Sequence, residues 1–202
     1  MAEEKRTREA GWIDRWVLGA VALATAIAVA FLLIGRGPTT SKRSGGLQGT
    51  AQAQALQDGQ APPEIAAAAF DGTPVRLSSL KGKVVLVNFF ASWCAECRAE
   101  IADIEKTYQA KHGAGFEVIG VNAWENGDGR AFLRELGGTY PAVPDPQPAA
   151  NQPGPIARSY GLETQALPVS VFIDRSGKVH QVYPGRIDSG NILDELRKMG
   201  IN

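Results

Sequence analysis

The sequence predicts an α/β domain, a mixed central sheet flanked by helices, preceded by one transmembrane helix. Three observations carry this. Two continuous apolar runs rich in β-branched residues, Val84 to Phe90 and Phe116 to Asn122, read as strands buried on both faces. A stretch with helical spacing lies between them. Near the amino end, Trp16 to Gly35 is twenty residues without a charge. As a helix it spans the ~30 Å hydrocarbon core at about 1.5 Å per residue.

Composition excludes several classes. The 202 residues are 44% hydrophobic, with 21 basic and 21 acidic side chains. Zero formal charge provides no global field for nucleic acid or an acidic surface. The apolar content excludes disorder throughout, and the single long uncharged run excludes a polytopic membrane protein. Two cysteines exclude a disulfide-stapled mini-protein and a Cys-rich zinc module.

Taken in order, residues 1–15 form an amino-terminal tail and 16–35 a signal-anchor helix in the lipid bilayer. Trp12 and Trp16 sit at one end, where interfacial indoles belong. A cleaved signal peptide is the competing reading, but the nearest A-x-A, Ala51-Gln52-Ala53, begins sixteen residues past the run. Lys5, Arg6, Arg8 and Arg15 stand against Arg36, Lys42 and Arg43, so charge alone leaves the orientation open. Residues 36–64, rich in Gly, Ser, Thr, Gln, Ala and Pro, read as a flexible linker. Residues 65–202 are long enough for one domain with its own core.

Within that domain, Cys94 to about Lys111 is helical. Cys97, Ile101, Ile104 and Tyr108 make an inward stripe, and Gly113-Ala114-Gly115 ends the helix. Arg130 to Leu136 reads as a short helix. A Pro/Gly-rich stretch from Gly137 to Pro155 follows, then a short helix near Ile156 to Tyr160. Val169 to Asp174 and Lys178 to Tyr183 form a hairpin across Arg175-Ser176-Gly177. Ile192, Leu193 and Leu196 give the last helix its apolar face, with Asp188 or Ser189 as cap.

Both cysteines lie in Trp93-Cys94-Ala95-Glu96-Cys97, after a buried strand and at a helix start. Sulfurs so spaced come within disulfide reach. Free backbone N–H groups and the helix dipole stabilise a thiolate on the first. The second, a turn on, can attack a mixed disulfide formed by the first. Cys94 therefore reads as nucleophile and Cys97 as resolving thiol. Zinc is disfavoured because His112 and His180 are isolated, and they read as surface or hairpin residues. Covalent haem needs His where Arg98 stands. A structural disulfide usually closes a longer loop.

The stretch Gly72 to Glu100 (GTPVRLSSLKGKVVLVNFFASWCAECRAE) resembles the membrane-anchored thioredoxin-like proteins of the TlpA/ResA group, with the CcmG/DsbE proteins as relatives. The likeness continues through FEVIGVN at 116–122 and LPVSVFID at 167–174. It implies a thioredoxin-like fold and a protein-disulfide reductase that needs no cofactor or metal. It implies that Pro168, after Leu167, is a cis-proline opposite the cysteines, and that Trp93, Leu167 and Pro168 dock the substrate chain. Asn88 stands where thioredoxin has a buried acid. Glu100 matches the group's acidic residue three positions after the second cysteine. A carboxylate there, partly desolvated with a raised pKa, could exchange protons with Cys97.

The chain also departs from the group. Ala95-Glu96 lacks the usual Pro before the second cysteine, Ala102 replaces a helix-kinking Pro, and Thr164-Gln165-Ala166 replaces the usual Gly before Pro168. Glu96 opposes thiolate formation and favours a less oxidising couple. The resemblance places the amino-terminal tail, residues 1–15, on the cytoplasmic side of a bacterial cytoplasmic membrane and the domain in the periplasm. It names apocytochrome c or copper-loading proteins as substrates, and a DsbD/CcdA-type membrane donor. Two other readings stay open: a copper-binding thioredoxin-like protein and a disulfide-forming oxidant. A peroxidase fits less well, because its nucleophile is a lone cysteine.

Overall fold

The computed structural model describes residues 56–202. The tail, the anchor and most of the linker lie outside the described residues. Among the described residues no helix is long and apolar enough to cross a membrane.

A five-stranded mixed sheet organises the domain, in the order β5-β4-β3-β6-β7. Its strands are β3 (Val84–Phe90), β4 (Phe116–Asn122), β5 (Ala142–Pro144), β6 (Val169–Ile173) and β7 (Val179–Pro184). β3 pairs parallel with β4 and antiparallel with β6. The two apolar runs thus lie at or next to the sheet centre, where both faces are covered. Strands β1 (Ala66–Ala68) and β2 (Pro74–Arg76) form a separate two-stranded sheet.

Alternation along β3 divides the core. Val85, Val87 and Phe89 join one apolar cluster, with Ala157 and Tyr160. Val84, Leu86 and Phe90 join another, with Cys97, Ile101, Ile104 and Leu196. The second cluster is supplied by helices α1 (Ala95–Lys111), α2 (Gly129–Glu135) and α4 (Ser189–Lys198). Helix α3 (Pro155–Ser159) serves the first. Ile101 and Ile104 are fully buried, so truncating either to Ala should cost about 2–5 kcal/mol.

Several expectations are refined. Tyr108 is only half-buried, while Glu100 and Thr107 join the inward face of α1. Gly115, at φ 90°, takes the left-handed conformation that ends this region. Asp188, not Ser189, caps α4, in a reciprocal pair with Asn191. Glu195 is buried there and Leu193 half-buried. Short strand β5 lies in the stretch that composition marks as irregular.

The carboxyl end of the expected linker is bound to the domain. Gly59 donates to the Val179 carbonyl at 2.7 Å, Val179 donates to Gln60 at 2.8 Å, and the Tyr160 hydroxyl donates to Pro63 at 2.9 Å. These are backbone groups of the linker, which side-chain composition does not report.

Candidate active site

The site forms where β3 ends and α1 begins. Cys94 is the N-cap of α1, and its Sγ accepts the Cys97 N–H at 3.1 Å. The two sulfurs are joined in a disulfide. Cys94 is 5% exposed and Cys97 is fully buried, so the cysteine at the helix terminus is also the more exposed of the pair. Beside them Trp93 is 39% exposed, the one exposed large hydrophobic side chain among the described residues. Its Nε1 donates to the Trp124 carbonyl at 2.6 Å.

Sheet register brings the proline to the cysteines. Val169 pairs with Phe89 near the end of β3, so Leu167-Pro168 lies beside the departure of the cysteine loop. That peptide bond is cis. Pro168 is buried and Leu167 half-buried, packed against both core clusters.

Glu100 is one turn of α1 beyond Cys97 and fully buried. It is not a solvated helix residue. Asn88 Nδ2 donates to its Oε2 at 2.8 Å, and Ile187 N–H and Ser170 Oγ donate to its Oε1 at 3.0 and 3.4 Å. Asn88 and Ser170 are cross-strand partners, so both point to the α1 side of the sheet. Burial pushes the Glu100 carboxyl up to about 7, against the opposing pull of those donors and of Arg186.

Sequence reasoning missed a second carboxylate, Glu125, in the loop after β4. Its Oε1 accepts Ser92 Oγ at 2.5 Å and the N–H groups of Asn126 and Gly127 at 3.0 and 2.8 Å. Its Oε2 accepts Ser92 N–H at 2.8 Å and Asn122 Nδ2 at 2.7 Å. Partial burial raises its pKa, but these donors outweigh it and hold the carboxyl below the usual range. The available signal was position: sites in open α/β sheets gather at the carboxyl ends of strands.

Of the two histidines, His112 is exposed with Nδ1 3.2 Å from Glu117, and His180 is half-buried with Nε2 3.0 Å from Glu195. Neither joins the cysteines. Among the described residues no group of three or more His, Cys, Asp or Glu side chains is placed to hold a metal ion.

Comparison with known proteins agrees with this geometry. Residues 59–182 match the AhpC/TSA family. The thiol-disulfide oxidoreductase ResA of Geobacillus thermodenitrificans is 27% identical over 146 residues, covering 72% of this chain and 79% of that protein. A Chlorobium tepidum protein assigned as thiol:disulfide interchange protein DsbE superposes with TM-score 0.61 at 30% identity, covering 71% and 96% of the two chains. A Bacteroides thetaiotaomicron protein assigned as a protein disulfide isomerase superposes with TM-score 0.60 at 32% identity, covering 71% and 90%. The chain belongs to the AhpC/TSA family, as a thioredoxin-like thiol:disulfide oxidoreductase of the TlpA/ResA type.

Proposed function

We propose that this oxidoreductase is a membrane-anchored, extracytoplasmic reductase of protein disulfides, in which Cys94 attacks, Cys97 resolves and Glu100 moves the proton. The observation that carries the roles is the asymmetry of the two cysteines. Cys94 is at the helix N-terminus and accessible at its edge, whereas Cys97 is sealed beneath it.

The reduced pair begins as a Cys94 thiolate and a Cys97 thiol. The thiolate attacks a substrate disulfide, forms a mixed disulfide and releases one substrate thiolate, which takes a proton from solvent. Cys97 passes its proton to the Glu100 carboxylate and attacks Cys94 Sγ. The second substrate thiolate leaves and is protonated. The substrate has gained two electrons and the protein ends as the Cys94–Cys97 disulfide. A carboxyl titrating near 7 can take and return a proton at neutral pH. Trp93, Leu167 and Pro168 form the surface on which the substrate chain lies.

The uncharged run at 16–35 supports anchoring in the bacterial cytoplasmic membrane, with the domain in the periplasm. The TlpA/ResA likeness supports apocytochrome c or copper-loading proteins as substrates, and a DsbD/CcdA-type donor that returns two electrons. Replacing Cys94 with Ser should abolish insulin reduction, and retained activity sinks the assignment. A reduction potential below about −200 mV fits a reductant, and one near about −120 mV an oxidant.

A further inference from the structure

We propose that Glu125 is a positioning residue for the nucleophile loop. Its carboxylate straps Ser92 to the end of β4, and the neighbouring Trp124 carbonyl holds the Trp93 indole. Cys94 and its adjacent docking indole are thereby kept in one arrangement when a protein disulfide approaches. The inference rests on Cys94 being the nucleophile.

Three independent features support it. The carboxylate of Glu125 accepts five donors, and two of them are the N–H and O–H of Ser92, two residues before Cys94. The loop is also shaped to let it do so. A Cβ at Gly127 would stand 2.9 Å from Ser92 Oγ, and one at Gly129 would stand 2.2 Å from Asn122 Oδ1. Both positions must be bare for Ser92 and Asn122 to reach the carboxylate. Finally, Trp124 takes a left-handed backbone, φ 56°, with its side chain 2% exposed and its Nε1 buried without a partner. A bulky residue rarely adopts that conformation. It persists where surrounding bonds over-determine it, and such positions cluster at functional sites. Here the bonds are the one from Trp93 and those at Glu125. The Trp124 ring packs in the same apolar cluster as Val169 and Leu167, so the strap also ties the cysteine loop to the proline side of the site.

A strap of this kind contributes little to the reactivity of the sulfur itself. Its effect is on how a large substrate meets the sulfur and the indole together. The test uses the full chain with two substrates, insulin and the small aromatic disulfide dithiobis(nitrobenzoate). Glu125→Gln keeps the shape but presents an amide to donors that face a carboxylate. Its kcat/KM for insulin should fall about tenfold, mainly through KM, while the small-disulfide reaction falls about threefold at most. Ser92→Ala removes one hydroxyl and should cost about threefold on insulin. The double variant should be no worse than Glu125→Gln alone, because the Ser92 hydroxyl acts through Glu125.

Equal losses on both substrates mean a general structural role and overturn the proposal. So do unchanged insulin kinetics, or losses that multiply in the double variant. Cys94→Ser separates this inference from the one beneath it. If Cys94→Ser is inactive and Glu125→Gln is normal, only the strap fails. If Cys94→Ser stays active, the assignment of the nucleophile fails first.

Discussion

Glu100, on the helix that carries Cys97, and Glu125, bonded to Ser92 in the loop before Cys94, are two carboxylates that diverge. Glu100 is fully buried, has three donors and is pushed up to about 7. Glu125 is half-buried, has five donors and is held below the usual range. Desolvation raises both. The supply of donors relative to burial decides the outcome. One group can carry a proton at neutral pH, and the other stays charged and serves as a fixed anchor.

Their contributions to stability run in opposite directions. Glu100 has a folded pKa above its ordinary 4.5, so its folded form holds a proton that the unfolded chain has lost. Its contribution is full below the ordinary value and declines as pH rises to about 7. Glu125 has a lowered folded pKa, so its contribution is full above the ordinary carboxylate range and is lost as pH falls through the folded value.

The largest expected effect comes from Glu100→Gln. Decay of a trapped mixed disulfide at pH 7 should slow by about 10²-fold and lose its dependence on pH around 7. Equal decay rates in the two proteins across pH 6–8 would remove Glu100 from the mechanism. In urea unfolding of the oxidised domain, residues 56–202, the parent should lose about 3 kcal/mol relative to Glu100→Gln between pH 4.5 and 8. A constant gap would mean that burial does not raise this carboxyl.

A smaller effect should appear on the Glu125 side. Gly129→Ala places a methyl against the Asn122 amide and forces it off Glu125. Overpacking of this kind costs about 1–3 kcal/mol. Helix propensity alone favours Ala over Gly by about 1 kcal/mol, so a stabilised variant would show that the loop is loose. Between pH 5 and 8 the loss should be flat, unlike that of Glu100→Gln.

Legibility in the sequence follows the same division. β3, α1 and β4 were readable because apolar runs and a 3.6-residue period report burial directly. Glu100 was readable because the TlpA/ResA resemblance marks it and its spacing puts it on the turn after Cys97, although only the structure shows three donors around it. β1, β2 and β5 have three residues each, too few for a period to register. The bonds of residues 59–63 use backbone groups, which any composition would supply. Glu125 was illegible because its role depends on a left-handed Trp124 and on space above Gly127 and Gly129. In sequence, Glu125-Asn126-Gly127-Asp128-Gly129 lies between a strand and a short helix with no spacing or motif that marks it.

The smallest effect should come from Ser170→Ala, which tests donor supply most directly. The hydroxyl donates to Glu100 Oε1 at 3.4 Å and accepts from Asn88 Nδ2 at 3.0 Å. Burial of Glu100 is unchanged by removing one oxygen, but the ionised form loses a donor. The Glu100 midpoint should therefore move up by about half a unit, read from its carboxyl carbon by NMR titration. The Glu125 resonance should not move, since Ser170 is not among its donors. An unchanged Glu100 midpoint would mean that Ser170 contributes nothing to it and that Asn88 and Ile187 supply all of its donor stabilisation.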